Sequence, residues 1–348
     1  LGTAVFVLPY ILLAAPAGYL ADRFSKRTVI VVCKAAEIVI MALAIVSICW
    51  GHVWFMLAIL GLIGCQAALF GPAKLGSIPE MLEERHISVA NGLIGLTTVL
   101  ATMIGTTVGS VLADYTGYRG QEHWEWSALV LVGVAVAGWI TSLAIAPLPG
   151  ANLARRFPWD APQQTWRDLK TLAHTPAMLR VAYGIMFFWS LGALANLNID
   201  QFAFEAGGEK QTQVAPLLAA LVIGVGVGSV LAGVWSAGRV ELGILPLGAT
   251  GLVFFPLLLF TVEGEFFKSN GDWTISYIAA GIWLFMLGCS AGLFDVPLAA
   301  YMQHNSPRDR RGSILAASNF MTFGGMLLAS VAFDVMRLPT EPGTLDNL

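Results

Sequence analysis

The stretch GYLADRFSKR, residues 18–27, places one acidic and three basic side chains between two long apolar segments. Residues 1–21 are almost uncharged, and residues 28–50 contain only Lys34 and Glu37 as charged side chains. A turn of this kind belongs either to the surface of a soluble helical protein or to a chain that has just crossed a membrane.

The composition favours the membrane protein. Of the 348 residues, 57% are hydrophobic and 12% are charged, whereas an ordinary soluble domain has about 25% charged residues. A soluble chain of this length still exposes about a quarter of its unfolded surface to water, and the polar groups here are too few to cover it. The mean hydropathy is +0.73. Most of the surface is therefore predicted to face a lipid bilayer.

The apolar segments have the length of membrane-spanning helices. A bilayer core about 30 Å thick needs about 20 apolar residues in a helix, and barrel strands would instead appear as short alternating segments. The sequence therefore predicts an all-α membrane protein with about ten spans. They cover approximately residues 1–21, 28–50, 53–71, 88–112, 127–147, 180–203, 214–235, 243–262, 274–295 and 312–333.

The basic residues orient these spans. One set of alternate loops carries 14 of the 19 Lys and Arg residues, counting Arg180 at the edge, and the opposite set with the C-terminal tail carries four. Because cytoplasmic loops hold the excess of Lys and Arg, we expect the first set to be cytoplasmic. Both ends of the ten-span unit then lie outside. The cytoplasmic loops are residues 22–27, 72–87, 148–179, 236–242 and 296–311.

The longest loop divides the spans five and five. It predicts an N-terminal transmembrane bundle at residues 1–147, a cytoplasmic linker at 148–179 and a C-terminal transmembrane bundle at 180–348. Within the linker, WRDLKTLAHTPAML (residues 166–179) is expected to form a helix on the membrane surface.

The two halves share ordered landmarks about 224 to 228 residues apart. ALFGPAKLGSIPE (68–80) is followed by ISVANGL (87–93), and GLFDVPLAAYMQ (292–303) is followed by GSILAASNF (312–320). Each pair puts a Phe and a Pro at the cytoplasmic end of a span, and an Asn two turns into the next helix. Related halves are a common plan of transporters, with the substrate site between them.

The first motif resembles the signature between the second and third spans of the major facilitator superfamily, with Ser25 where glycine is usual. The resemblance implies two pseudo-symmetric helix bundles, with the first and last of the usual twelve spans missing from this chain. In that family the motif acid lies near the start of the eleventh span, here the helix beginning around Gly312. We therefore expect a conformational latch on the cytoplasmic side, formed by Gly18, Asp22, Arg23, Lys26 and Arg27. The alternative is a solvated turn whose cations only set the topology.

Within that superfamily, three motifs resemble the lysophospholipid transporter branch, which includes forms fused to an acyltransferase or acyl-ACP synthetase. They are FGPAKLGSIPE with ANGL, SAGRVELGILPLG, and VPLAAYMQ with PRDRRGSILAASNF. The resemblance implies a transporter that moves lysophospholipid across the inner membrane by alternating access. A small-molecule or drug efflux transporter of the same superfamily is the alternative. From another class, the chain could be the transport part of a longer acyltransferase fusion enzyme.

Three polar residues inside spans are candidates for substrate binding. Lys34 and Glu37 share one helix face at i, i+3 spacing, and Gln66 lies in the next span. Charges at membrane depth normally face a cavity or each other. The pair is expected either to meet the headgroup of a lysophospholipid or to form a structural ion pair.

Other chemistry is not indicated. The net charge of −3 favours no nucleic-acid partner, and the four cysteines in apolar segments show no metal-ligand spacing, so we expect no metal or cofactor. His304 and Asp309 have an acyltransferase-like spacing but lie in a short loop, so no catalytic residue is predicted. Asp295 is expected to be solvated near the cytoplasm. The patterns Gly105-x-x-x-Gly109, Gly224-x-Gly226-x-Gly228 and Gly288-x-x-x-Gly292 predict close helix packing.

Overall fold

The computed structural model describes residues 2–116, 123–205, 211–236, 242–262, 266 and 273–336. In these ranges nine helices are long and apolar enough to cross a membrane, or ten if α1 and α2 form one bent span. The predicted all-α fold and the number of spans are confirmed. The helices are α1 Gly2–Leu12, α2 Ala14–Arg23, α3 Lys26–Trp50, α4 Val53–Met81, α5 Glu84–Thr116, α6 Trp124–Leu143, α7 Ala161–Ala173, α8 Pro176–Glu205, α9 Gln211–Trp235, α10 Leu245–Leu259, α11 Ile275–Asn305 and α12 Arg311–Met336.

The first span is bent by 57° between α1 and α2. Pro16 lies in the first turn of α2. It has no N–H to donate to the carbonyl of Leu12, and its ring crowds that carbonyl, which is the usual cause of a kink at proline. The helix resumes at once, because Ala17 N–H donates to Leu13 O at 2.8 Å.

The predicted ends of two spans, at residues 71 and 295, are wrong. Helices α4 and α11 continue to Met81 and Asn305, so Pro72 and Pro297 lie inside helices and are fully buried. Hydropathy falls because polar residues follow, but the helices continue, and neighbouring helices enclose some of these residues, such as Glu80 and Gln303. Asp295 consequently lies ten residues before the end of α11. It is partly buried and accepts a hydrogen bond from the Trp189 side chain, so it lies further inside the helix than the sequence predicts.

The helices form a first group, α1–α6, and a second group, α8–α12. The groups meet where α5 packs against α9 and α11, and where α12 packs against α2 and α4. This arrangement brings residues 18–27, 76–91 and 303–313 to one end of the molecule, which we call the basic end. The four basic residues predicted on the opposite side all lie outside the described residues. They are Arg119, Lys210, Lys268 and Arg337.

Glycines determine how closely some helices approach. A Cβ atom on Gly288 would lie 2.8 Å from Val225 N, and one on Gly224 would lie 3.0 Å from the carbonyl carbon of Phe285. The prediction of close packing is therefore confirmed between α9 and α11. It is wrong for Gly105 and Gly109, where an added Cβ would meet no described atom within 4 Å.

A helix, α7, lies in the segment between the two groups, so the linker helix is confirmed in part. It ends at Ala173 and a separate helix begins at Pro176. One face of α7 covers protein, because Leu172 is buried in the hydrophobic core of the second group and α7 packs against α2 and α12. The opposite face, with Trp166, is exposed.

Candidate functional site

Asp22 lies at the C-terminal end of α2 and binds the N-terminus of α12. Its Oδ1 accepts from Gly312 N–H at 2.6 Å, and its Oδ2 accepts from Ser313 N–H at 3.1 Å and from Ser313 Oγ at 2.7 Å. The side chain is fully buried. An acid at a helix N-terminus is stabilised by the unpaired amides there, by up to about 2 kcal/mol when partly buried. The structure thus joins the two groups of helices where the sequence predicts a latch.

Two glycines allow this contact. A Cβ on Gly18 would lie 2.8 Å from Ser313 Cα, and a Cβ on Gly312 would lie 2.6 Å from both Ala21 Cβ and Asp22 Oδ1. Real Cβ atoms do not approach other heavy atoms so closely. Helices α2 and α12 can therefore reach hydrogen-bonding distance only because both positions lack a side chain.

The three cations of the motif have different partners. Lys26 is fully buried and donates to Glu80 at 2.6 Å, and Arg311 lies 3.4 Å from the same carboxylate oxygen. Arg27 donates to the carbonyl of Leu143 at 2.9 Å. Lys26 therefore belongs to a buried charge cluster that connects α3, α4 and α12, whereas the sequence placed it in a cytoplasmic turn.

Arg23 contacts the segment that follows α6. Its guanidinium donates to the carbonyl of Arg155, and the guanidinium of Arg155 contacts both Asp22 and Ser313. Asp168 of α7 lies 3.5 Å from Arg155. Burial raises the pKa of the Asp168 carboxyl above its ordinary value, while Arg155 and a hydrogen bond from Gln164 act in the opposite direction.

A pair of amides also joins the two groups at the basic end. Asn91 Nδ2 donates to Gln303 Oε1 at 2.9 Å, and Gln303 Nε2 donates to Asn91 Oδ1 at 2.8 Å. Both side chains are buried. In the other half, Asn319 faces α4, and a Cβ on Gly71 would lie 3.3 Å from its Nδ2. Each of the two asparagines that mark the repeat in the sequence thus faces a helix of the other group.

A second cluster lies deeper in the first group. Lys34 Nζ donates to Glu37 Oε2 at 2.8 Å, and Gln66 Nε2 donates to the same oxygen at 3.0 Å and to Cys33 O at 3.2 Å. Lys34 also lies over the ring of Phe70, 5.3 Å from its centroid. The structure brings together all three of the residues predicted to bind substrate.

This cluster lines a cavity of about 240 Å³, together with Ile40, Met41, Ile63 and Phe70. The side chains of Lys34 and Glu37 are 25% and 21% exposed, so both are accessible from the cavity. The site offers an ammonium donor, a carboxylate acceptor and an apolar wall. These features are complementary to a small group that carries both a negative and a positive charge.

Several members of these clusters were not identified from the sequence. Glu80, Arg155, Gln303 and Arg311 lie in predicted loops or at span ends, where polar residues are common and give no signal. His304 Nε2 lies 3.4 Å from Glu84 Oε1, and Asp309 Oδ2 lies 3.6 Å from Arg310 Nε. Each residue of the acyltransferase-like spacing thus has a different charged neighbour.

Comparison with known proteins gives the family. The family model described as Major Facilitator Superfamily matches residues 1–330. A protein named lysophospholipid transporter LplT from Serratia proteamaculans (strain 568) is 27% identical over 328 residues, covering 93% of this chain and 75% of that protein. A protein of the same name from Escherichia coli (strain SE11) is 28% identical over 333 residues, covering 93% and 76%.

Solved structures show the same fold. The human organic anion transporter MFSD10 superimposes with a TM-score of 0.72 at 14% identity, covering 95% of this chain and 77% of that one. The fucose:proton symporter FucP of E. coli also superimposes with a TM-score of 0.72 at 14% identity, covering 96% and 83%.

Proposed function

The chain belongs to the Major Facilitator Superfamily, and on that premise we propose that this transporter moves lysophospholipid across the inner membrane by alternating access. The observation that carries the substrate class is the likeness to proteins named lysophospholipid transporter, which extends over 93% of the chain. A small-molecule or drug exporter remains the alternative that the transport experiment below tests.

The moving bodies in this proposal are the bundles at residues 1–147 and 180–348, connected by the linker at 148–179. At the basic end they are joined by Asp22 with α12 and by Asn91 with Gln303. These contacts hold a state in which the basic end is closed. Opening that end requires Asp22 to leave the α12 N-terminus, which makes the motif the latch of the transport cycle.

The headgroup site in this proposal is the cavity beside Lys34, Glu37 and Gln66. Lys34 binds the phosphate, and Glu37 binds the ammonium of an ethanolamine headgroup. Pairing with the ligand offsets the cost of keeping both charges at membrane depth. The cavity of about 240 Å³ suits a headgroup, while the acyl chain lies along apolar helix surfaces. The competing interpretation is a structural ion pair with no contact to substrate.

Transport by the full-length protein in proteoliposomes tests the function. We expect uptake of labelled lysophosphatidylethanolamine, inhibited by unlabelled lysolipid and not by the diacyl phospholipid. Transport of drug-like cations without any lysolipid uptake would replace this proposal by the exporter.

The orientation is tested separately. With the basic end in the cytoplasm, cysteines at Arg156 and Arg310 should resist an impermeant thiol reagent applied from outside, and cysteines at Arg119 and Lys268 should react. A background without the four native cysteines is needed. Lys26 is unsuitable because it is fully buried. External labelling at Arg156 would overturn the orientation.

The fate of the lysolipid is part of the same proposal. A lysophospholipid delivered to the cytoplasmic leaflet is a substrate for reacylation, so the partner is an acyltransferase, fused or separate. Membranes with the transporter should supply externally added lysolipid to such an enzyme, and membranes without it should not. Equal rates of acylation in both membranes would show that the enzyme does not depend on this transporter for its lysolipid.

A further inference from the structure

The segment between α6 and α7 lies against the end of α2. The backbone N–H groups of Ala151 and Asn152 both donate to the carbonyl of Asp22, at 3.1 and 2.9 Å. Helix C-termini leave carbonyls without partners inside the helix, and here the connecting segment supplies the donors. An added Cβ on Gly150 would collide with the carbonyl of Arg23. The segment is therefore fitted closely to the helix that carries the latch acid.

Arg155 extends from this segment into the contact between α2 and α12. Its Nη1 donates to Asp22 Oδ2 and to Ser313 Oγ, so one guanidinium touches both groups of helices. The carbonyl of Arg155 accepts from Arg23. The side chain is only 14% exposed. Arg155 is thus largely enclosed by the two elements that must separate when the basic end opens.

Helix α7 holds Arg155 from the other side. Asp168 Oδ2 lies 3.5 Å from Arg155 Nη2, and Gln164 Nε2 donates to Asp168 Oδ1 at 2.9 Å. Leu172 anchors α7 in the hydrophobic core of the second group. The arginine is therefore placed by a helix anchored in the second group and by a connecting segment bound to the first.

Charge explains why this arginine affects the closed state. Asp22 is fully buried, and a buried carboxylate that loses its counter-charge is strongly destabilising. Arg155 is the basic side chain in direct contact with Asp22. Without it, only hydrogen bonds from the α12 N-terminus, namely the Gly312 and Ser313 amides and the Ser313 hydroxyl, would stabilise the carboxylate. Opening the basic end would then give Asp22 access to water.

We propose that Arg155 is a positioning residue of the latch, so that the linker, through Arg155, acts as a third component that keeps the basic end closed. The proposal rests on alternating access as the proposed function. In each cycle, Arg155 has to leave Asp22 and Ser313 before the basic end opens.

The test measures conformation and needs no substrate. Spin labels at Glu83 and Asp309, which are both exposed at the basic end, report the opening of that end in the full-length protein in nanodiscs. We expect Arg155→Ala to increase the open fraction at least threefold. Arg155→Lys should restore part of the closed state, because a lysine can still pair with Asp22. The matched control is Arg156→Ala, which removes the same charge from an exposed neighbouring position and should leave the distances unchanged.

A distance distribution in folded Arg155→Ala equal to that of the wild type would overturn the proposal, even if the variant were less stable to heat. If Arg155→Ala does not fold, Asp168→Asn provides the second measurement. It keeps Arg155 but removes the charge of the α7 carboxylate that pairs with it. We expect a smaller increase in the open fraction than in Arg155→Ala. No shift in Asp168→Asn would then count against the proposal. Because these readouts are independent of lysolipid, failure of the substrate assignment would appear only in the transport assay.

Discussion

Two ion pairs in this transporter have almost the same length but different surroundings. Lys26 and Glu80 lie 2.6 Å apart and are 0% and 2% exposed, whereas Lys34 and Glu37 lie 2.8 Å apart and are 25% and 21% exposed. The first pair connects α3 to α4, and through Arg311 to α12. The second lies within α3 and borders a cavity. Distance alone does not distinguish a structural pair from a binding site, but burial and the elements connected do.

The largest effect on stability is expected from Glu80→Gln. The substitution leaves two buried cations, Lys26 and Arg311, without their acid. Removal of one partner from a buried ion pair costs about 3–5 kcal/mol, so thermal unfolding in detergent should shift to a clearly lower temperature. The control is Glu83→Gln at an exposed surface pair, where little change is expected. A normal melting temperature for Glu80→Gln would show that the buried cluster does not hold the helices.

The next largest effect is expected from Asp22→Asn. The amide can still accept a hydrogen bond from α12 but carries no charge for Arg155. Hydrogen bonds to charged groups contribute about 1.5–3 kcal/mol, so lysolipid transport should fall about tenfold or more while membrane insertion stays intact. Asp309→Asn, at the exposed loop before α12, is the control. Transport at the wild-type rate by Asp22→Asn would show that the motif sets the topology and does not act as a latch.

A smaller and more selective effect is expected at the partly exposed pair, Lys34 and Glu37. Lys34→Ala should weaken transport of every phosphate-bearing lysolipid, because it removes the cation that meets the phosphate. Glu37→Gln should reduce transport of the ethanolamine form about fivefold more than that of the glycerol form, a difference of about 1 kcal/mol. Uptake of the two labelled lysolipids measures this ratio.

The structural alternative for this pair predicts a different pattern. If Lys34 and Glu37 only stabilise each other, both single variants should express poorly and lose both lysolipids equally. The double variant Lys34→Glu with Glu37→Lys should then restore function. Equal losses with rescue by the swap would move this pair into the same class as Lys26 and Glu80.

The smallest effect is expected from Gln66→Leu. The substitution removes one donor to Glu37, at 3.0 Å, while the Lys34 ammonium still pairs with the carboxylate. We therefore expect a loss close to the contribution of a typical hydrogen bond, about 1 kcal/mol. The apparent affinity for lysophosphatidylethanolamine should fall about three- to fivefold, measured as a change in half-saturating concentration at unchanged maximal rate. A change in maximal rate with normal affinity would place Gln66 outside the binding step.

The residues that could be predicted from the sequence are those with a local signal. Lys34 and Glu37 stand out as charges in an apolar segment, and their spacing puts them on one face. Asp22 is conspicuous as an acid among cations, and the family resemblance supplied its partner helix. The positions of the spans follow from hydropathy in the same way.

The partners at the basic end could not be predicted because they are distant in the chain. Lys26 and Glu80 are 54 residues apart, Asp22 and Arg155 are 133 apart, and Glu80 and Arg311 are 231 apart. In a hydropathy profile such residues look like solvated loop positions. Only the packing of α4, α12 and the linker shows that they are enclosed by protein, and for the same reason the predicted ends of α4 and α11 were too early.

The missing side chain at Gly312 has a genetic consequence. Every missense change in a glycine codon specifies a residue with a Cβ atom, and at this position that atom would lie 2.6 Å from Ala21 Cβ and from Asp22 Oδ1. No single missense step therefore preserves the approach of α12 to α2, whereas Gly105 has open space for an alanine. In a selection on lysolipid-dependent growth, missense alleles at codon 312 should be depleted while alanine alleles at codon 105 persist.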